Sequence, residues 1–191
     1  MKKIGLFIIT LLMLSFFNKN DVKKTSIIIT PESEISIKGK TNINEFRCHY
    51  NVLKIKKPIP IFFNIEGDKL IFKETILALQ NTCFDCGNKS INKNLITLLK
   101  TKNHPKIFIH LKELEKQNKT YVSLIDIEIA GIKKLYKVPI TINTKNSHCV
   151  KGHLILDIYD FNLTPAKKLF GIIKLNNLIE IDFKLFIEEQ P

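Results

Sequence analysis

Apolar and polar residues alternate along most of this chain with the period of a β-strand. Near the C-terminal end, Ile179, Ile181, Phe183, Leu185 and Ile187 interleave with Glu180, Asp182, Lys184, Phe186 and Glu188. One face of such a segment is dry and the other wet. Ile125, Ile127 and Ile129 alternate in the same way with Asp126, Glu128 and Ala130, and Leu154, Leu156 and Ile158 with Ile155 and Asp157. Val138, Ile140 and Ile142 flank Pro139 and Thr141, Ile35 and Ile37 flank Ser36, and Ile61, Phe63 and Ile65 form a further set. Glu66-Gly67-Asp68 separates that set from a strand over Leu70 to Leu79, which is a hairpin signal.

Two stretches break the alternation. Ser90 to Lys100 places Ile91, Leu95, Leu98 and Leu99 on a helical stripe, with Ser90 as the expected N-cap. Pro165 before Ala166-Lys167-Lys168-Leu169, with Gly171 beyond, predicts a second, shorter helix. The remaining eight or more short strands lack the interleaved helices of a parallel sheet. An antiparallel barrel or sandwich remains, in one domain.

Composition agrees: 32 Ile against three Ala favours strands over helices. A hydrophobic fraction of 45% is enough to build a core, so the chain is not disordered. The formal charge is +12, yet 29 of the 30 cations are lysine and only Arg47 is arginine. Scattered lysines without arginine do not make a nucleic-acid reader, and mild attraction to an anionic membrane is the more natural consequence.

Residues 1–18 read as a signal peptide: Lys2-Lys3, an apolar run from Ile4 to Phe17, then polar Asn18-Lys19-Asn20. The run is short of the ~20 residues that span a bilayer, and cleavage is expected between Phe17 and Lys24. Retention as a membrane anchor is the competing reading. Export to an oxidising compartment makes the four cysteines (Cys48, Cys83, Cys86 and Cys149) candidates for one or two disulfides. Cys83-Phe84-Asp85-Cys86 has redox or half-zinc spacing but no second pair, and His148-Cys149 with His153 adds little, so no metal site is expected. No nucleophile elbow or His-Glu-x-x-His occurs, and His104, Asn42, Asn44 and Asp160 read as structural. The chain is read as a non-enzyme.

Several segments carry a resemblance. These are Ser36-Ile37-Lys38-Gly39-Lys40-Thr41-Asn42-Ile43-Asn44-Glu45-Phe46, Cys86-Gly87-Asn88-Lys89 followed by Leu99-Lys100, and Asn103-His104-Pro105-Lys106-Ile107. Ile129-Ala130-Gly131-Ile132-Lys133-Lys134, Asp160-Phe161 through Pro165, and Gly171-Ile172-Ile173-Lys174-Leu175 continue the series. In this order they resemble the YceI-like family, exported lipocalin-like proteins that hold long apolar chains. Lys133 stands where that family often has Thr, and Cys83 and the stretch around Arg47 match only some of its branches.

The resemblance implies an all-β fold: an antiparallel up-and-down lipocalin-like barrel of about eight strands with one or two short helices, over residues 26–189. It implies an interior lined by Phe46, Phe63, Phe72, Ile109, Ile127, Leu156, Phe161, Phe170, Ile181 and Phe183. It also implies a Cys48–Cys86 disulfide, with Cys83–Cys86 as the alternative. The expected ligand is a polyisoprenoid lipid or isoprenoid quinone, with no other cofactor. Peripheral membrane contact and a homodimer are admissible, and the location is the periplasm or exterior of a bacterium. The competing function is a non-enzymatic structural or stress-response envelope protein acting through a protein partner. Composition does not separate the two, because phenylalanines line a cavity or fill a core equally well.

Overall fold

The structure, a computed structural model, describes residues 22–118, 120–143, 148–165 and 174–190. The leader, the second helix and Phe170 lie outside the described residues. Eleven strands form one antiparallel sheet. They are β1 (Lys23–Ile29), β2 (Glu34–Lys40), β3 (Glu45–Tyr50), β4 (Ile59–Glu66), β5 (Lys69–Gln80), β6 (Phe84–Asp85), β7 (Lys106–Gln117), β8 (Thr120–Ile129), β9 (Ile132–Asn143), β10 (His148–Asp157) and β11 (Leu178–Gln190). Helix α1 (Lys89–Leu98) lies between β6 and β7.

Eleven strands make only eight staves. One edge of β11 pairs first with β2 (Phe183 opposite Ile35) and then with β1 (Ile187 opposite Ile29). β1 and β2 are therefore one stave interrupted at residues 30–33. β3 and β4 form a second interrupted stave, since β3 pairs with β2 and β4 with β1. From there β5, β7, β8, β9, β10 and β11 follow in chain order, and the β1–β11 pairing closes the ring. This is an up-and-down barrel, in which closure leaves no exposed sheet edge along most of the wall.

The hairpins β4–β5, β7–β8 and β9–β10 turn at one end of the barrel. The other end carries the β2–β3 and β8–β9 turns, α1 and the connection from β10 to β11. There the interior is packed solid. Leu79, Leu95, Leu99, Ile107, Ile129, Ile158 and Leu163 form one cluster around Phe161, whose side chain is fully buried. A short 3-10 turn (Ile158–Phe161) carries that phenylalanine, capped by the Asp157 carboxylate accepting from the Tyr159 N–H.

Three local expectations are corrected. The N-cap of α1 is Asn88, not Ser90: its Oδ1 accepts from the Ser90 and Ile91 N–H groups, which orphaned helix donors need. Ala130 leaves the strand phase. With φ of 51° it joins Gly131 (φ 80°) in a two-residue turn of the primed, twist-matching kind. The alternation also slips within β5 and β7. Bulges between Ile71 and Thr75 (Glu74 at φ 53°) and between Leu111 and Glu113 switch the inward parity. Leu70 and Phe72 thereby face the same side as Thr75, Leu77 and Leu79.

Candidate functional site

Cross-strand register fixes which residues face the interior. Ile109 opposes Ile127, Ile125 opposes Tyr136, Ser123 opposes Val138 and Leu114 opposes Ser123. Further round, Val150 opposes Leu185, Gly152 opposes Phe183 and Leu156 opposes Ile179. Along the strands, charged residues fall in the inward phase only at the ends: Lys23, Lys116, His148 and Glu189 at the hairpin rim, Lys134 at the packed end. The middle of the barrel is lined by Ile, Leu, Val and Phe, with Thr75, Ser123, Tyr121 and Tyr136 as hydroxyl-bearing members.

Burial varies along each inward stripe. On β8, Ile127 and Ile129 are 3% and 5% exposed, whereas Ile125 and Tyr121, two and six residues before Ile127, are only half-buried. On β11, Ile179 is buried while Ile181, Phe183, Leu185 and Ile187 are half-buried. Leu77, Ile109 and Leu114 behave likewise on β5 and β7. Above the packed end, half-buried Leu77, Ile109, Ile125 and Phe183 alternate with buried Thr75, Ser123, Val138 and Ile140, and Ile29, Ile59 and Ile61 form a second buried cluster. We take the half-buried inward stretch as the candidate hollow.

The sequence-predicted lining residues divide along that boundary. Phe63 and Phe72 stand together near the open end, ring centroids 6.1 Å apart. Ile109, Ile181 and Phe183 are on the hollow stretch, and Phe46 lies beside Gly39 on the β2–β3 pair. Ile127, Leu156 and Phe161 belong to the packed floor, at 3%, 3% and 0% exposure. Register places Ile127 and Leu156 on the inward face, where they and Phe161 retain almost no accessible surface. Leu77, Leu114, Tyr121 and Ile125 also face inward and lie outside the expected lining set, while Leu185 and Ile187 take the dry face expected of the last strand. Strand parity flags Ile125. The bulges hid Leu114.

Two phenols at the floor are hydrogen-bonded and held neutral, while the Oδ1 of buried Asn81 has no partner there. The Tyr136 hydroxyl donates to Asp160 Oδ2 (3.3 Å) and its ring stacks on Phe161. Burial, then the charge of Asp160, pushes this phenol up to about 12. Burial likewise raises the Tyr50 phenol, whose oxygen accepts from the Gln80 N–H. Cys48, on the inner face of β3, is joined to Cys86 by a disulfide that ties the segment entering α1 to the wall. Cys83 and Cys149 are free thiols. No cluster of three or more metal-ligating side chains occurs among the described residues.

Two shallow concavities of about 360 and 300 Å³ lie on the outer wall and share Pro139. Charges on the first cancel locally, with Lys69 Nζ 2.7 Å from Glu113 Oε1. The interior is the better candidate for an apolar ligand, because its half-buried apolar side chains are enclosed by the wall.

No family model matches the sequence, and no curated protein does. Solved structures do match in fold. Burkholderia cenocepacia BcnA aligns at 15% identity with a TM-score of 0.62, covering 84% of this chain and 99% of BcnA. A polyisoprenoid binding domain from Saccharophagus degradans aligns at 9% identity and TM-score 0.61, covering 89% and 100%. The Campylobacter jejuni YceI protein aligns at 15% identity and TM-score 0.52, covering 69% and 80%. The fold is that of the YceI-like barrels.

Proposed function

We propose that this YceI-like barrel is an exported, non-enzymatic carrier that holds one elongated apolar molecule, a polyisoprenoid lipid or isoprenoid quinone, in its hollow stretch. The observation that carries the reading is the set of half-buried inward side chains at mid-strand: Leu77, Ile109, Ile125, Ile181 and Phe183. A confined space lined by such groups stays dry and favours an apolar guest, because an unpaired polar atom there would be costly. One long chain suits an eight-stave barrel, whose interior is just wide enough for side chains or a single slender ligand. The structural likeness to a polyisoprenoid binding domain supports the choice of ligand class. The apolar leader and the disulfide support export to an oxidising compartment beyond the inner membrane.

Mass spectrometry of an organic extract of the purified protein tests the proposal. A long-chain isoprenoid near one equivalent per chain is expected. Extracts free of any apolar chain, from protein made in a host that synthesises such lipids, would count against it.

A further inference from the structure

The packed end of the barrel has an outer surface unlike the remainder. Between Gly87 and Lys112 the sequence holds five lysines and no carboxylate. This segment is α1, the turn behind it and the first half of β7. Lys89, Lys93, Lys102 and Lys106 are exposed, and none has a carboxylate within ion-pair distance among the described residues. The end of this segment leans on the β8–β9 turn, where the His104 ring lies against Gly131 next to exposed Lys133 and Lys134. On its other side Lys100 Nζ donates to the Asn162 carbonyl, which joins it to the β10–β11 connection.

Nearby carboxylates are already engaged. Asp85 accepts from Asn92 and Gly87, Asp160 from Tyr136, and Asp157 from Asn177 and Tyr159. Glu128 faces Lys133, and Glu180 faces Lys38 and Lys40. The cap keeps its positive potential.

Large apolar side chains collect at the same end. Ile43 on the β2–β3 turn is 67% exposed, Leu135 59%, Tyr159 57%, Ile155 53% and Leu178 49%. Asp157 pairs with Leu178, which sets Tyr159 and Leu178 at one end of the β10–β11 ladder. Leu135 and Ile155 flank a split in the wall. β9 and β10 pair only over Ile140–Asn143 and Cys149–Gly152, and below Pro139 the two strands are not paired with each other. Phe161 closes the split from inside against Tyr136.

We propose that this packed end, not the hairpin rim, is the surface by which the protein docks on an anionic lipid bilayer. Unpaired lysines around protruding apolar side chains fit a headgroup layer over hydrocarbon, where each lysine adds attraction and each apolar group inserts. A nucleic acid is the poorer fit, since the described residues of the cap include no arginine. Among the described residues the hairpin rim lacks the charge asymmetry, because Glu66, Asp68, Glu188 and Glu189 offset Lys23, Lys24 and Lys116 there. Docked this way, the barrel turns the β9–β10 split toward the membrane. The docking stands on surface residues alone and does not need the proposed ligand.

The chain has no tryptophan, so one introduced indole reports position cleanly. Tyr159→Trp marks the packed end and Ile65→Trp the hairpin rim, each in the full chain. The probe is a vesicle of phosphatidylcholine with a minor fraction of phosphatidylglycerol, carrying brominated acyl chains. Quenching and a blue shift are expected for Tyr159→Trp and not for Ile65→Trp, and not with phosphatidylcholine alone. Adding Lys89→Gln, Lys93→Gln, Lys102→Gln and Lys106→Gln should weaken vesicle binding on the order of a hundredfold or more. Quenching of Ile65→Trp instead, equal binding to neutral vesicles, or tighter binding to a single-stranded oligonucleotide at the same salt would each overturn the proposal. An organic extract without lipid would leave this surface untouched while removing the carrier reading.

Discussion

The ring of Phe183 lies across the backbone of Gly152 on the neighbouring strand, so close that a Cβ at position 152 would stand 2.3 Å from its Cζ. The pair is directly opposed in the β10–β11 ladder, on the inner wall. Space is the reason for the glycine, since its φ is ordinary. Gly39 and Phe46 repeat the arrangement on β2 and β3, with 2.4 Å to Cζ. Each glycine leaves room for a phenylalanine ring that a Cβ would displace.

Gly152→Ala should therefore push the Phe183 ring inward. A loss of about 1–3 kcal/mol in urea unfolding is expected, together with reduced recovery of bound lipid. Gly152→Ala with Phe183→Leu should regain most of both, because the smaller side chain has room to move. If the double variant is no better than the single one, the ring is not the obstacle.

Filling the barrel separates hollow from floor with two substitutions on one stripe. Ile125→Phe enters the hollow and should leave stability nearly unchanged while expelling ligand. Ile127→Phe, one inward position along, enters the packed floor and should cost about 1–3 kcal/mol. Equal destabilisation by both, measured by denaturant titration, would mean that the interior is filled throughout.

The Cys48–Cys86 link closes a loop with a sequence separation of 38. In the chain-entropy account, such a loop is worth about 4 kcal/mol. Cys48→Ala with Cys86→Ala should lower stability by roughly that amount and loosen α1 first, read as faster amide exchange at Leu95 and Leu99. Unchanged exchange there would mean that packing alone fixes the helix.

Acid should weaken the fold in part through His110. Burial, then the nearby Lys133 charge, holds this imidazole below its ordinary value of 6.5. Its Nε2 is buried without a hydrogen bond, 3.8 Å from Glu128 Oε2. The folded state thus prefers the neutral ring, and the unfolded chain takes up a proton first as pH falls. Stability from this group is full above pH 6.5 and declines as pH drops below it toward the folded-state value. His110→Gln should show a shallower loss of stability across that window, and identical slopes would exclude the contribution.

Much of the wall was legible from alternation, because each strand has one dry face and the closed sheet preserves that phase. Ile179 to Ile187 and Ile125 to Ile129 are examples. Three things were not legible. The bulges at Glu74 and between Leu111 and Glu113 change parity through backbone conformation, which the side-chain pattern does not encode. The division of the first two staves at residues 30–33 and 51–58 depends on pairings made by strands distant in sequence. The boundary between floor and hollow depends on Phe161 and α1 folding in from the packed end, so Ile127 and Ile125 look alike in sequence and differ in the structure.

A high-resolution crystal structure of the protein purified with its native contents tests the carrier account most directly. The account predicts continuous tubular density along the barrel axis, bounded by Leu77, Ile109, Ile125 and Phe183 and stopping above Phe161. Side chains closed upon one another across that space, with no density between them, would contradict it.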